Sequence, residues 1–285
     1  MTDSRPDFAS YWSGVERDVA ALPKTTAAVE EMPLRSTDGS KGYGVNLTGT
    51  GGHRLFAWYS VPHGKGPFPA IFQAPGYGSV VHVPPYERRQ KYVVLALCHR
   101  GQRRSDVRYA ARYPGLLTDG VDDPEKYVWR GIVADCLVAV DFLLSRSEID
   151  GARVAAAGND LAYITAGLRP QIGSVLVTGD LLFRDTAARL AAASDYPIAE
   201  FDDFLREQPG RSEAVRGTLG LFDPLGFAGR IRGRVLISCA RAASAYSTPL
   251  AKAAGRRGEV RINSGRGFLD HGAEERWLDG VLASG

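Results

Sequence analysis

One stretch constrains the fold more than any other. Arg153-Val154-Ala155-Ala156-Ala157 is short, small and apolar, Gly158 ends it, and residues 161–168 follow as a compact helix-forming run. An apolar run of this length closed by glycine reads as a strand buried on both faces. Such a strand needs a layer above and a layer below, and the helix that follows it supplies one. The same alternation recurs along the chain. Residues 70–73, 93–98, 154–157, 174–178, 235–239 and 259–262 read as strands; 132–144, with a continuous apolar stripe, and 274–282 read as helices. Ahead of them, 45–47 and 54–61 read as strands joined by Gly49-Thr50-Gly51-Gly52. Those glycines suit a hairpin turn; a phosphate-holding loop is the weaker reading. Phe8, Tyr11, Trp12, Val15, Val19 and Leu22 have helical spacing and place an N-terminal helix over 7–22. Counting from the first hairpin, the sixth strand, 174–178, is followed by a charged, helix-rich stretch at 183–230, read as a cap-like insertion. The expectation is one α/β domain over 1–285: a mostly parallel central sheet, helices on both faces, and ligands at the carboxyl ends of the strands.

Bulk properties narrow the class of partner. The net charge is +3 in 285 residues, too near balance to argue for nucleic acid or a membrane surface. Cys98, Cys136 and Cys239 are far apart in apolar settings, without metal spacing or a disulfide framework, so buried thiols in a reducing compartment are expected. Residues 1–18 carry acids and lack an apolar signal core, and no apolar run approaches the roughly 20 residues of a membrane span. The expectation is a cytoplasmic protein with no metal and no cofactor, which binds a small molecule. The sequon Asn46-Leu47-Thr48 then has no meaning.

Gly158-Asn159-Asp160-Leu161-Ala162 sits at the strand-to-helix turn. A tight turn of this kind, written G-x-S-x-G, is the nucleophile elbow, and here its centre is Asp160. Further motifs run along the chain: Asp7-Phe8 with Trp12; Pro75-Gly76-Tyr77-Gly78; Arg100-Gly101-Gln102; Thr118-Asp119-Gly120-Val121 with Asp123-Pro124, Tyr127, Arg130 and Asp135; and Phe222-Asp223 with Phe227-Ala228. Together they make the chain resemble the acetyl xylan esterase and cephalosporin C deacetylase family of α/β hydrolases. The resemblance implies an α/β-hydrolase fold and ring-like homo-oligomers. It also implies a triad of elbow serine, histidine base and orienting acid. By position, the serine place is Asp160, the acid place Ala243 and the histidine place Phe268, so all three positions are substituted. The oxyanion-type backbone donors fall at Tyr77 and Leu161.

Asp160 has three readings. It is structural, most simply capping the helix with its carboxylate, worth roughly 1 kcal/mol; it acts as a general acid or base; or it is a covalent nucleophile. As an anion it cannot be activated like a hydroxyl, and its attack on an acetyl group would give an unstable anhydride. His271 lies three residues past the histidine place and reads either as a displaced base or as a surface residue. Asp270 reads as the cap of the last helix. Asp180, at the end of the sixth strand, is a candidate orienter and ligand contact, and His99 a packing residue. Arg103 and Arg104, in a cluster with Arg100, Arg108 and Arg112, are candidate clamps for an anionic ligand, with Arg100 in a structural pair. Three functions stay open: a non-hydrolytic enzyme of small-molecule or biosynthetic metabolism using Asp160 as acid/base, an inactive pseudo-esterase that binds or assembles, and a hydrolase with a rearranged Asp160/His271 site.

Overall fold

The computed structural model describes residues 7–23, 27–179, 181–190, 195–263 and 270–283. Asp7 accepts the amide hydrogens of Ala9 and Ser10 at 2.9 and 3.0 Å and so starts helix α1 (Phe8–Ala20). The strands are β1 (Ala28–Glu31), β2 (Ser40–Thr48), β3 (Arg54–Pro62), β4 (Phe68–Gln73), β5 (Val93–Cys98), β6 (Ile149–Gly158), β7 (Ser174–Thr178), β8 (Arg234–Ala240) and β9 (Gly258–Asn263). Among the described residues they form one sheet in the order β1-β2-β3-β5-β4-β6-β7-β8-β9. β1, β2 and β3 pair antiparallel, as does β3 with β5, and β5 to β9 run parallel. The expected mixed, mainly parallel sheet is therefore present. The glycines at 49–52 make the β2–β3 hairpin turn, with Gly51 and Gly52 at φ 69° and 71°.

The edge strand β1 was not anticipated. Ala28-Val29-Glu30-Glu31 is exposed at every position, so it carries no buried alternation for a sequence to display. Its presence makes the sixth expected strand β7. The helices are α2 (Tyr86–Lys91), α3 (Val128–Leu144), α4 (Asp160–Leu168), α5 (Thr186–Arg189), α6 (Ala199–Glu207), α7 (Ser212–Phe222), α8 (Ser244–Ala253) and α9 (His271–Ala283).

The pleat of the sheet divides the core. In β4, Ala70 and Phe72 face the larger cluster with α1, α3 and α4, while Ile71 faces the smaller one with Leu278 and Leu282 of α9. The helical stretch after β7 is not all cover. Phe222 and Phe227 are fully buried, and Trp12 of α1 stands edge-on to them at 5.2 and 5.1 Å. The Trp12 indole donates to the Leu221 carbonyl at 2.9 Å.

A buried ion pair ties the end of β5 to α3. Arg100 donates through Nε and its backbone N–H to Asp135 Oδ2, both at 2.9 Å, and through Nη2 to Oδ1 at 2.7 Å. This is the structural pair expected for Arg100. Removing one partner strands the other out of water, so Asp135→Ala is expected to lower unfolding free energy by about 3–5 kcal/mol. The double replacement Arg100→Met, Asp135→Leu is expected to recover most of that loss. Denaturant unfolding of the two variants checks both.

Candidate active site

The turn after β6 is set by one glycine. Gly158 takes φ 144°, and a Cβ there would lie 3.0 Å from the Ala74 Cβ at the exit of β4. Only glycine fits both the angle and the approach. Asn159 follows with φ −91° and ψ −149°, and its side-chain oxygen accepts the Leu161 amide at 3.0 Å. Asn159 is therefore the cap of α4, and Asp160 is the first residue of the helix. This corrects two expectations: Asp160 does not cap, and the Leu161 N–H that was to serve an oxyanion is engaged by Asn159. The strained backbone of the turn lies at Gly158 and not at the central residue of the motif.

Asp160 is wholly buried. Its Oδ2 accepts the Leu182 amide, and its Oδ1 accepts the Phe183 amide at 3.4 Å. The carboxylate thus reaches across to the chain leaving β7. Burial pushes its pKa up to about 7, while the Leu182, Phe183 and Asp160 amides and the Arg189 charge oppose the rise.

A cavity of about 410 Å³ opens at the carboxyl ends of β4, β6 and β7, where an open α/β sheet places its ligands. Gln73, Tyr77, Asn159, Thr178, Leu182 and Tyr196 are on its wall, and among the described lining residues Asp160 is absent. From the turn, Gly158 and Asn159 line the cavity. The Arg100-Gly101-Gln102 turn shapes the Tyr77 loop of the wall: the buried Gln102 amide donates to the carbonyls of Gly76 and Gly78 at 3.1 and 2.7 Å, on either side of Tyr77. Tyr77 donates its hydroxyl to Glu200 of α6, and Tyr196 donates to the Tyr77 hydroxyl at 3.2 Å. Burial, then the bond to Glu200, raises the Tyr77 pKa far above its ordinary value.

The remaining candidates are dispersed. The His271 side chain is 76% exposed, with Nδ1 3.0 Å from the buried Glu274 carboxylate. It opens α9, on the sheet face opposite α4, and is not joined to Asp160. Asp270 caps that helix through the Ala273 amide at 3.0 Å, as expected, and leaves His271 facing water. Ala243 is half-buried in a turn after β8 and brings only a methyl group. Phe268 and Asp180 lie outside the described residues. Arg103 is exposed, and Arg104 lies over the rings of Phe56 and Trp58 at 4.5 and 4.7 Å. Neither arginine is on the described cavity wall, because β3 supplies an aromatic surface that takes Arg104. His99 is buried, as expected of a packing residue, and its pKa is driven down to about 4, chiefly by burial. Sequence reasoning missed Glu200, which has no local signal, and the role of Gln102, which lay inside a recognised motif.

The pH dependence has a defined sign. The folded pKa of Asp160 is raised, so its contribution is full in acid and is lost as pH rises through about 7. His99 runs the other way: its depressed pKa gives stability above about 6.5 that is lost as pH falls toward 4. Comparing Asp160→Asn with the parent cancels the His99 contribution. The stability of the variant relative to the parent is expected to rise from pH 4 to pH 7, by on the order of 1.4 kcal/mol per pH unit. Urea unfolding at stepped pH measures it; a flat difference contradicts the buried, titrating carboxylate.

Known proteins share this fold. The family described as acetyl xylan esterase (AXE1) matches residues 2–248. The acetyl esterase Axe7A of Xylanibacter ruminicola is 22% identical over 253 residues, covering 83% of this chain. The chain spans only 56% of the length of that curated relative. The acetyl xylan esterase from Paenibacillus sp. R4 superposes with a TM-score of 0.83 at 26% identity, covering 99% of this chain and 96% of that one. Acetyl xylan esterase 1 from Thermoanaerobacterium sp. JW/SL YS485 superposes with a TM-score of 0.75 at 20% identity, covering 98% and 95%.

Proposed function

The chain belongs to the acetyl xylan esterase family of α/β hydrolases, and from that footing we propose that it is a small-molecule-binding member without serine-type ester hydrolysis. The observation that carries this reading is the state of Asp160. The residue at the family's nucleophile place is buried, both its oxygens accept backbone amides, and it is off the described cavity wall. A serine there would offer a hydroxyl to the pocket; this carboxylate holds the chain leaving β7. The Leu161 amide is spent on Asn159, so one of the two backbone donors for an oxyanion is not free. Ala243 and Phe268, at the acid and histidine places of the resemblance, supply no proton-transfer group.

The described wall also bears on the ligand. Gln73, Tyr77, Asn159, Thr178 and Tyr196 are neutral, polar or aromatic. They suit an uncharged molecule carrying hydroxyl or carbonyl groups better than the anion that the arginine cluster suggested.

A second reading, Asp160 as general acid or base, draws on its pKa of about 7, near the value such a group needs at neutral pH. It requires the carboxylate to leave the Leu182 and Phe183 amides and turn into the cavity. One pair of assays separates the readings. Purified protein is expected to release p-nitrophenol from p-nitrophenyl acetate at the buffer rate, and thermal-shift screening of neutral metabolites is expected to find ligands whose shift survives Asp160→Asn and is lost in Asn159→Ala. Hydrolysis above background that Asp160→Asn abolishes overturns the proposal.

A further inference from the structure

Glu200 is the second residue of α6 and only 5% exposed, yet no cation accepts its charge in any described contact. One oxygen accepts the Tyr77 hydroxyl, and the other accepts the Leu117 amide at 3.0 Å. A single carboxylate therefore joins three segments far apart in sequence: the cavity loop after β4, the turn before α3, and the helical stretch after β7. Charge-assisted hydrogen bonds of this kind are about twice as strong as neutral ones, and a buried acceptor is costly to leave unmade. The residues just before α6 complete the arrangement. Tyr196 and Pro197 lie on the cavity wall, and Tyr196 is 57% exposed. The Tyr196 ring stands edge-on to Tyr77, with centroids 5.7 Å apart, and Tyr113 meets Tyr77 from another side at 5.2 Å. Tyr113 in turn donates to the Gly78 carbonyl at 2.8 Å.

We infer that Tyr77 and Tyr196 form a gate at the cavity, and that Glu200, fixed by the Leu117 amide on a helix whose Phe201 is fully buried, is the latch that holds Tyr77 in place through its hydroxyl. The latched state positions Tyr77 and Tyr196 on the wall; releasing the Tyr77 hydroxyl lets the two rings turn away from the mouth. Ligand entry is then governed by one carboxylate–phenol contact, and the Leu117 amide keeps the carboxylate in place while Tyr77 is free. The inference takes from the proposed function only that this cavity is the binding pocket.

The test needs no ligand, so its failure is distinct from failure of the functional reading. Thr178 is half-buried on the cavity wall, and the native Cys98, Cys136 and Cys239 are all buried. Thr178→Cys therefore gives one reporter thiol inside the pocket, read by its alkylation rate with iodoacetamide. In that background Tyr77→Phe, which removes only the donating hydroxyl, and Glu200→Gln, which removes the charge, are each expected to speed alkylation roughly tenfold or more. The three native thiols are expected to stay unreactive. An unchanged reporter rate in both variants overturns the latch. So does a rise matched at the native thiols, which marks general loosening of the fold.

Discussion

A carboxylate taken wholly out of water must find donors close at hand, and this constraint organises the site. Asp160 has no room to face solvent, because Gly158 brings the end of β6 against Ala74 and the helix begins at once. Its oxygens meet the amides of Leu182 and Phe183, two backbone groups that would otherwise be buried without acceptors as the chain leaves β7. The cost of burying the charge is visible in the raised pKa, and it is offset only in part by those amides. The path of the chain after β7 follows from this pin. Arg184 and the backbone of Asp185 then bind Asp223 Oδ2 at 2.9 and 3.1 Å, which connects the start of the helical stretch to the end of α7.

The same constraint separates scaffold from chemistry. The sheet and its covering helices are those of the acetyl xylan esterase family, and the cavity lies at the strand ends of that sheet. A fold can keep a pocket while its reactive groups change, because the pocket is set by strand ends and loops and the chemistry by single side chains. The turn places Asn159 at the cavity wall and ties Asp160 to the chain leaving β7. Gln102, held in the Arg100-Gly101-Gln102 turn, shapes the Tyr77 loop without touching a reacting atom.

The fold was legible because its signals are local. A central strand such as β5, buried on both faces, shows an unbroken apolar run, and the glycines at 49–52 mark a hairpin. β1 was not legible, since four exposed residues with two glutamates have no pattern to read. The site was half legible for a physical reason. Asn159 and Asp160 are both good capping residues, and sequence alone does not rank neighbours. What ranks them is Asp160's bonds to residues 22 and 23 positions onward. Long-range partners decide the others too: Arg104 is drawn to rings on β3, and Tyr77 is fixed by a glutamate 123 residues away. His271 followed from its proximity in sequence to the expected place, and the start of α9 directs it to solvent instead.

The central claim is that Asp160 is a structural pin on the chain leaving β7. Amide hydrogen exchange at Leu182 and Phe183 tests it most directly, followed by NMR in the native protein and in Asp160→Ala. The account predicts that both amides are protected in the native protein and exchange much faster in the variant, while amides of β6 and β7 keep their protection. Rapid exchange at Leu182 and Phe183 in the native protein, or protection that survives loss of the carboxylate, would contradict it.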